Sequence, residues 1–559
     1  MNESLPLLTS NSTVLWLKVL LTVGALVLLF LRYRKRKASG ASPAVSSFRA
    51  KVLVAVVVLF ACAVFHNLGK PRSGEFVHYG EMFHYYLGSK YFKELGYYEL
   101  YNAVIVADAE QDNSLAGMPF YTDLTNYKNA RRETALRDGA RARVKALFAE
   151  PRWHVFKEDV AFFKQATGMP QSRVIAFLLM DHGYNASPVS TFVLGTITNV
   201  VPVTQLPLLA SVDLLLVAAM IGLVFSAFGL EMGALFAVYF FVNILNDHGY
   251  VSGALLRYDW LLCIVIAVCL IEKGRRVPAA FFLVLSAMLK VFPAVLLYGV
   301  GVSVFQKVRA ERRVDKTTVQ LGLVAGLTAL GLFLLPAVAF GSVLKPWQEF
   351  SAKTTLHDSG VYVNHLGLRG MVLFEPNHLS LERFVTAYKS RYTDDIVRHW
   401  QDVKEYELGQ KRPVIVICAL LVLACVTVII WHRRGDLIEA ALWPLLLVYA
   451  ISYPSHYYYV FLCLFVLLFF RRGDSLSALV PLCLLLMLNL LALVTDAFRP
   501  SPIVFYTLTN IYLFVCLASV LGFELYTQVL KKQPELPVAS TAKPKVSAKQ
   551  GRANPASRR

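Results

Sequence analysis

Long apolar runs leave this chain few architectures. Segments such as VLWLKVLLTVGALVLLFL (14–31) and KVLVAVVVLFACAVF (51–65) recur along its length. Hydrocarbon offers backbone N–H and C=O groups no partners, so such runs fold as helices, which close their hydrogen bonds internally. The alternation of a transmembrane β-barrel is missing. With 56% of residues hydrophobic and only 17% charged, the expected class is all-α: a polytopic transmembrane helical bundle of about 11 to 13 spans. No internal repeat is visible.

The formal charge of +19 points first to nucleic acid, but the basic residues sit in short loops between apolar runs: RYRKRK (32–37), EKGRR (272–276), QKVRAERR (306–313), WHRR (431–434) and Arg471–Arg472. That is the distribution of cytoplasmic loops. No aromatic-basic groove or finger spacing accompanies it, so no nucleic-acid partner is expected. The segment 531–559 has eight Lys or Arg against one Glu and reads as a disordered cytoplasmic tail near anionic lipid. All eight cysteines lie within apolar runs, where thiols behave as small hydrophobes. The first run is too long for a removable signal peptide and reads as a signal anchor.

Placing the basic loops inside organises the chain. Residues 1–50 hold the anchor helix and a basic cytoplasmic loop, 51–530 the main transmembrane domain, and 531–559 the tail. Two long loops, about 68–185 and 341–412, fall on the extracytoplasmic face, while directions between 186 and 306 stay open. The first loop carries amphipathic helix patterns, with Trp153, Phe156, Val160 and Phe163 spaced for one face. The segment 277–304 begins and ends beside basic clusters and reads as a hairpin broken at Lys290 and Pro293.

Ionisable and aromatic residues concentrate on the outer side. In GEMFHYYLGSKYF (80–92), helical spacing would put Glu81, His84, Tyr85 and Gly88 on one face. Desolvation there can raise the pKa of an acid and suit it to general-base work; an interfacial aromatic belt with Glu81 facing water is the plainer account. Lys290, in VLSAMLKVFPAVLL, either snorkels or meets a lipid phosphate. NDHGYVSGALLRYDW (246–260) contributes Asp247, His248, Arg257, Tyr258 and Asp259; NHLGLRG (364–370) contributes Asn364, His365 and Arg369; SYPSHYYYV (452–460) contributes His456 and Tyr457. The acids of ADAEQD (107–112) and TDD (393–395) are rivals to Glu81, with solvated acidity as their simpler reading.

Four of these pieces, in this order, resemble the polyprenyl-phosphate-sugar-dependent transferases of the GT-C superfamily, and within them glycosyltransferase family 87. GEMFHYYLGSKYFKELGYYELY is similar to the family's first outer-loop motif, AAFFLVLSAMLKVFPAVLL to its Lys-x-x-Pro segment, NHLGLRG to its Asn-Gln-Ser-Leu-type loop, and YPSHYYYVFLCLFVLL to its Pro-aromatic-His-Tyr helix start. The resemblance runs over about residues 50–530. Glu81 stands where the family has Asp, and His365 and Gly367 replace Gln and Ser.

The resemblance implies a mannosyltransferase-like enzyme of the cell envelope. It would move a hexose or pentose from a polyprenyl-phosphate donor to an extracytoplasmic glycan or glycolipid acceptor, among membrane lipid. Glu81 would be the catalytic base; His84, Tyr85, Lys290, Arg257, Asp259, Asn364, His365, Arg369, His456 and Tyr457 would bind substrate. No cofactor is implied, and metal dependence is left open. The implied location is a bacterial inner membrane, multi-pass, with the C-terminus cytoplasmic. A transporter or flippase without covalent chemistry is the alternative, and a membrane scaffold whose outer loops bind a protein is a third class.

Overall fold

The computed structural model of the chain describes residues 12–39, 47–69, 76–166, 171–246, 248–390, 395–433 and 435–530. Asp247, Thr393, Asp394, Arg434 and the basic tail lie outside them. Among the described residues the regular structure is helical, apart from one antiparallel hairpin pairing Phe120–Asp123 with Lys128–Arg131 and one isolated bridge between His365 and Ser455.

Seven helices are long and apolar enough to cross a membrane: Ser12–Ala38, Phe48–Phe65, Val203–Phe228, Lys316–Phe340, Ile396–His432, Leu476–Ala497 and Pro502–Gln528. Four shorter apolar helices pack among them, Leu230–Val242, Arg276–Leu289, Leu437–Ile451 and His456–Phe470, together with Asp259–Glu272 and Ala294–Glu311. The protein is an all-α, membrane-embedded bundle. Helix Ile396–His432 begins well before the apolar run expected from residue 413, with Pro413 inside it. At 1.5 Å per residue its 37 residues span about 55 Å, more than the hydrocarbon thickness, so its polar first turns stand clear of the core.

Ion pairs collect helix termini at one end of the bundle. Arg32 meets Glu231 and Asp474, and Arg471 bridges Glu272 and Asp436, each at 3.0 Å. Arg472 bridges Glu439 and Glu524, each at 2.7 Å, and Arg433 reaches Glu524 at 2.8 Å. The opposite ends of these helices meet the two long loops. There the His78 N–H donates to the Gly253 carbonyl (3.0 Å) and the His456 N–H to the Asn364 carbonyl (2.9 Å). The ion pairs put the start of Leu230–Val242 and the end of Asp259–Glu272 at the same end, two directions within the stretch 186–306 that periodicity left open. The hairpin around Lys290 divides into Arg276–Leu289 and Ala294–Glu311, with the break at Lys290–Pro293.

The described residues between 76 and 187 build a second core, to which Leu206, Leu209 and Leu255 of the bundle and Phe350 of the second loop also contribute. Trp153, Phe156, Val160 and Phe163 are all buried there, against Phe83, Tyr86, Tyr91 and Tyr97. The acids of ADAEQD are not simply solvated, as expected above. Asp108 is fully buried, 2.6 Å from Lys164 and 3.7 Å from Arg132, and Glu110 accepts the Trp153 indole N–H at 2.9 Å. Both acids lock the helix Glu150–Ala166 onto the helix Leu100–Glu110.

Candidate active site

Glu81 lies in a single helical turn, Tyr79–Met82, whose start is capped by His78: Nδ1 accepts the Glu81 N–H at 3.1 Å. The chain then widens into a π-turn, Phe83–Leu87, a distortion common at functional sites. Its consequence is a change of face. His84, expected beside Glu81, is turned into the core of the loop, its Nε2 lying 2.8 Å from the Tyr101 hydroxyl and 3.3 Å from the Leu178 carbonyl. Tyr85 stays on the site side and donates to Asn185 Oδ1 at 2.8 Å.

The Glu81 carboxylate pairs with Arg257, Oε1 to Nη2 at 2.7 Å. Arg257 is brought there by a tightly fitted segment. Gly253 has a φ of +72°, and a Cβ at that position would stand 2.1 Å from the Phe76 carbonyl oxygen. Only glycine permits that approach. Leu256, with a φ of 52°, then turns the chain through the left-handed region, a strained conformation for a side chain of this size. Asp213, buried on the helix Leu206–Phe228, accepts the Arg257 N–H at 2.8 and 3.1 Å, and the Trp260 indole donates to the Arg257 carbonyl at 3.1 Å.

Lys290 arrives from the broken hairpin. Hydroxyls of Ser187 and Ser190 donate to the Met288 and Leu289 carbonyls (2.7 and 2.9 Å), finishing the helix that presents it. Its Nζ is 3.4 Å from the Tyr458 hydroxyl and 5.8 Å from the centre of the Tyr85 ring. Arg257 lies 4.4 Å above the Tyr457 ring. Asp259 accepts the Trp260 N–H at 2.6 Å and interacts electrostatically with Lys290. Glu81, Tyr85, Asp259, Lys290, Tyr457 and Tyr458 are each part-exposed, whereas Arg257 is buried. The result is a part-exposed cluster in which two carboxylates, Glu81 and Asp259, and two basic side chains, Arg257 and Lys290, are rimmed by phenols.

The electrostatics differ from the sequence expectation. Burial pushes the Glu81 carboxyl upward, but Arg257, followed by His78, outweighs it and holds the pKa below the ordinary carboxylate value. Glu81 is therefore ionised at neutral pH with a cation already in contact.

The remaining expected residues build the frame. His365 Nδ1 lies 2.6 Å from the Tyr453 carbonyl and Nε2 2.9 Å from Ser455 Oγ. With the His456 N–H on Asn364 and the Tyr459 hydroxyl on the Leu366 carbonyl (2.9 Å), these bonds staple the second loop to the turn that carries Tyr457 and Tyr458. The His456 ring packs 4.9 Å from Tyr506. Arg369 is engaged by the Asp358 carboxylate and carbonyl. Asp213, Tyr458 and Asn185 were missed in the sequence; a lone acid inside an apolar run was the available signal for Asp213.

Comparison with protein-family models, with curated proteins and with solved structures finds no match. The functional reading rests on the site itself.

Proposed function

We propose that this protein is an integral membrane glycosyltransferase that moves a mannose-like hexose or pentose from a polyprenyl-phosphate donor to an extracytoplasmic glycan or lipid acceptor. The observation that carries the reading is the part-exposed Glu81–Arg257 ion pair, with the Lys290 amine and the phenols of Tyr85, Tyr457 and Tyr458 gathered around it. In the proposed step Glu81 removes the proton from an acceptor hydroxyl as its oxygen attacks the anomeric carbon. The bond from that carbon to the phosphate oxygen breaks, its electron pair leaves with the polyprenyl phosphate, and Arg257 and Lys290 stabilise the departing charge. A donor phosphate at Arg257 also shares the cation that holds Glu81, so the carboxylate becomes more basic when donor is present. Tyr85, Tyr457 and Tyr458 offer stacking faces and hydroxyls to the sugar.

The topology that goes with this reading has each of the long, shorter and remaining bundle helices crossing once. The ion-paired basic end then faces the cytoplasm and the two long loops face outward. The last helix, carrying Glu524 at the basic end, delivers the C-terminus to the cytoplasmic side of a cell inner membrane.

The test is direct. Purified protein given a polyprenyl-phosphate sugar and cell-envelope acceptors should release polyprenyl phosphate, and Glu81→Gln should abolish the release while the protein still expresses and folds, with a lowered melt because buried Arg257 loses its partner. Full activity in Glu81→Gln overturns the assignment.

A further inference from the structure

A sizeable cavity lies at the other end of the molecule. It encloses about 640 Å³ between the helices Ala294–Glu311, Lys316–Leu334 and Ile396–His432, walled by Val304, Ala310, Leu321 and Trp431. A second cavity of about 590 Å³ adjoins it, sharing Arg276 and Thr317 and adding Arg275 and Pro278. The polar lining of the first is Arg276, Lys307, Arg309, Ser303, Gln306, Thr317 and Thr318, with one carboxylate, Glu311.

The charges at this end of the bundle are unevenly matched. Arg32, Arg433, Arg471 and Arg472 are each matched by carboxylates. Around the cavity, Lys307 is matched by Asp315 at 2.7 Å, and Glu311 lies 3.9 Å from Arg313. Among the described residues no carboxylate stands within ion-pair distance of Arg275, Arg276 or Arg309; Arg309 instead lies 5.7 Å from the centre of the Trp431 ring. Three arginines without a carboxylate in reach therefore border a cavity with apolar walls.

One wall of the cavity is a helix that faces away from the bundle. No residue of the helix Lys316–Leu334 is buried, and Leu323 and Leu327 on it, with Phe305 facing the same side of the bundle, are well exposed. Such a surface belongs in acyl chains. A ligand that joins a phosphate anion to hydrocarbon matches both features, whereas a soluble anion would leave the apolar walls wet.

We propose that this double cavity binds the headgroup of an anionic membrane phospholipid, its phosphate held by Arg275, Arg276 and Arg309 and its acyl chain running past Trp431 and Leu321. The site is separate from the Glu81 cluster and does not depend on the transferase reading.

The experiment uses the full chain reconstituted in phosphatidylcholine vesicles carrying a minor fraction of phosphatidylglycerol with brominated acyl chains. The readout is quenching of Trp431 fluorescence, isolated as the difference from Trp431→Phe. Quenching should saturate at low phosphatidylglycerol content in the wild type. The double variant Arg276→Gln/Arg309→Gln should need about twentyfold more, at roughly fivefold for each basic residue removed. Arg276→Lys/Arg309→Lys should stay near wild type, and Thr317→Phe, which fills the shared wall without changing charge, should also weaken quenching. Unchanged saturation in both the Gln double variant and Thr317→Phe overturns the proposal, as does equal quenching by brominated phosphatidylcholine. Displacement by millimolar inorganic phosphate would reassign the site to a soluble anion and overturn the lipid assignment. A circular-dichroism melt equal to wild type verifies that each variant is folded.

Discussion

Glu81 and Arg257 meet at 2.7 Å across two segments far apart in the chain, and Arg257 is the more deeply buried of the two, its side chain 8% exposed against 24% for Glu81. The guanidinium therefore sets the chemistry of the acid rather than the reverse. Substituting Arg257→Gln should leave burial as the dominant influence on Glu81 and move its pKa from below to above the ordinary carboxylate value. The acid limb of polyprenyl-phosphate release should shift to higher pH, and turnover at neutral pH should fall about 10²- to 10³-fold as the phosphate loses a fixed cation. An unmoved acid limb would show that Arg257 does not tune Glu81.

Gly253 is the hinge of that pairing. A methyl group there meets the Phe76 carbonyl oxygen at 2.1 Å and the His78 nitrogen at 2.8 Å, both backbone atoms that cannot rotate away. Gly253→Ala should destabilise the protein by more than about 1 kcal/mol and lower turnover further by moving Arg257. Thermal melting in detergent checks the first effect, and turnover per folded molecule checks the second.

Stability should fall on mild acidification through an aromatic and histidine cluster where the two long loops meet. The His357 ring stacks on Tyr362 at 5.1 Å and lies 5.3 Å from His182. Burial, followed by His182, pulls the His357 pKa from 6.5 down to about 3. A depressed pKa means the folded state favours the neutral ring. That contribution is complete above pH 6.5 and is lost as pH falls from there toward 3. The wild type should lose about 1 to 2 kcal/mol more than His357→Gln between pH 7 and 5, measured as paired melting curves.

The ADAEQD acids offer a contrast. Asp108→Ala would leave buried Lys164 with only the part-exposed Asp112 and take the buried carboxylate from Arg132, a loss of about 1 to 3 kcal/mol for the buried hydrogen-bonding groups left unsatisfied. The melting midpoint should drop sharply while turnover per folded molecule stays at the wild-type level. A selective loss of turnover would instead make Asp108 part of the chemistry.

Much of the fold was legible because its causes are local. Apolar runs must close their own hydrogen bonds, so the helices could be read directly. The face carrying Trp153, Phe156, Val160 and Phe163 followed from helical period, and the break at Lys290–Pro293 from a ring that cannot donate. The site was legible only as a set of pieces. Glu81, Arg257, Lys290 and Tyr457 were each visible in the sequence, but nothing local said which of them touch.

Three outcomes depended on tertiary structure alone. The π-turn sent His84 inward, because five residues in a wider turn no longer repeat on a single helical face. The second loop used the Asn364 carbonyl to hold the His456 N–H and the His365 ring to hold the Tyr453 carbonyl and the Ser455 hydroxyl, contacts that sequence spacing cannot register. The sign of the Glu81 shift depended on its partner: desolvation, readable from the aromatic surroundings, pushed one way, and the contact with Arg257 pushed harder the other. The sequence by itself determined that this chain is a bundle of membrane helices with its reactive groups gathered at loop ends, since those follow from periodicity and from the solvent. Which groups pair and which acid is held ionised were decided by distances between segments remote in the chain, and those distances exist only once the bundle is packed.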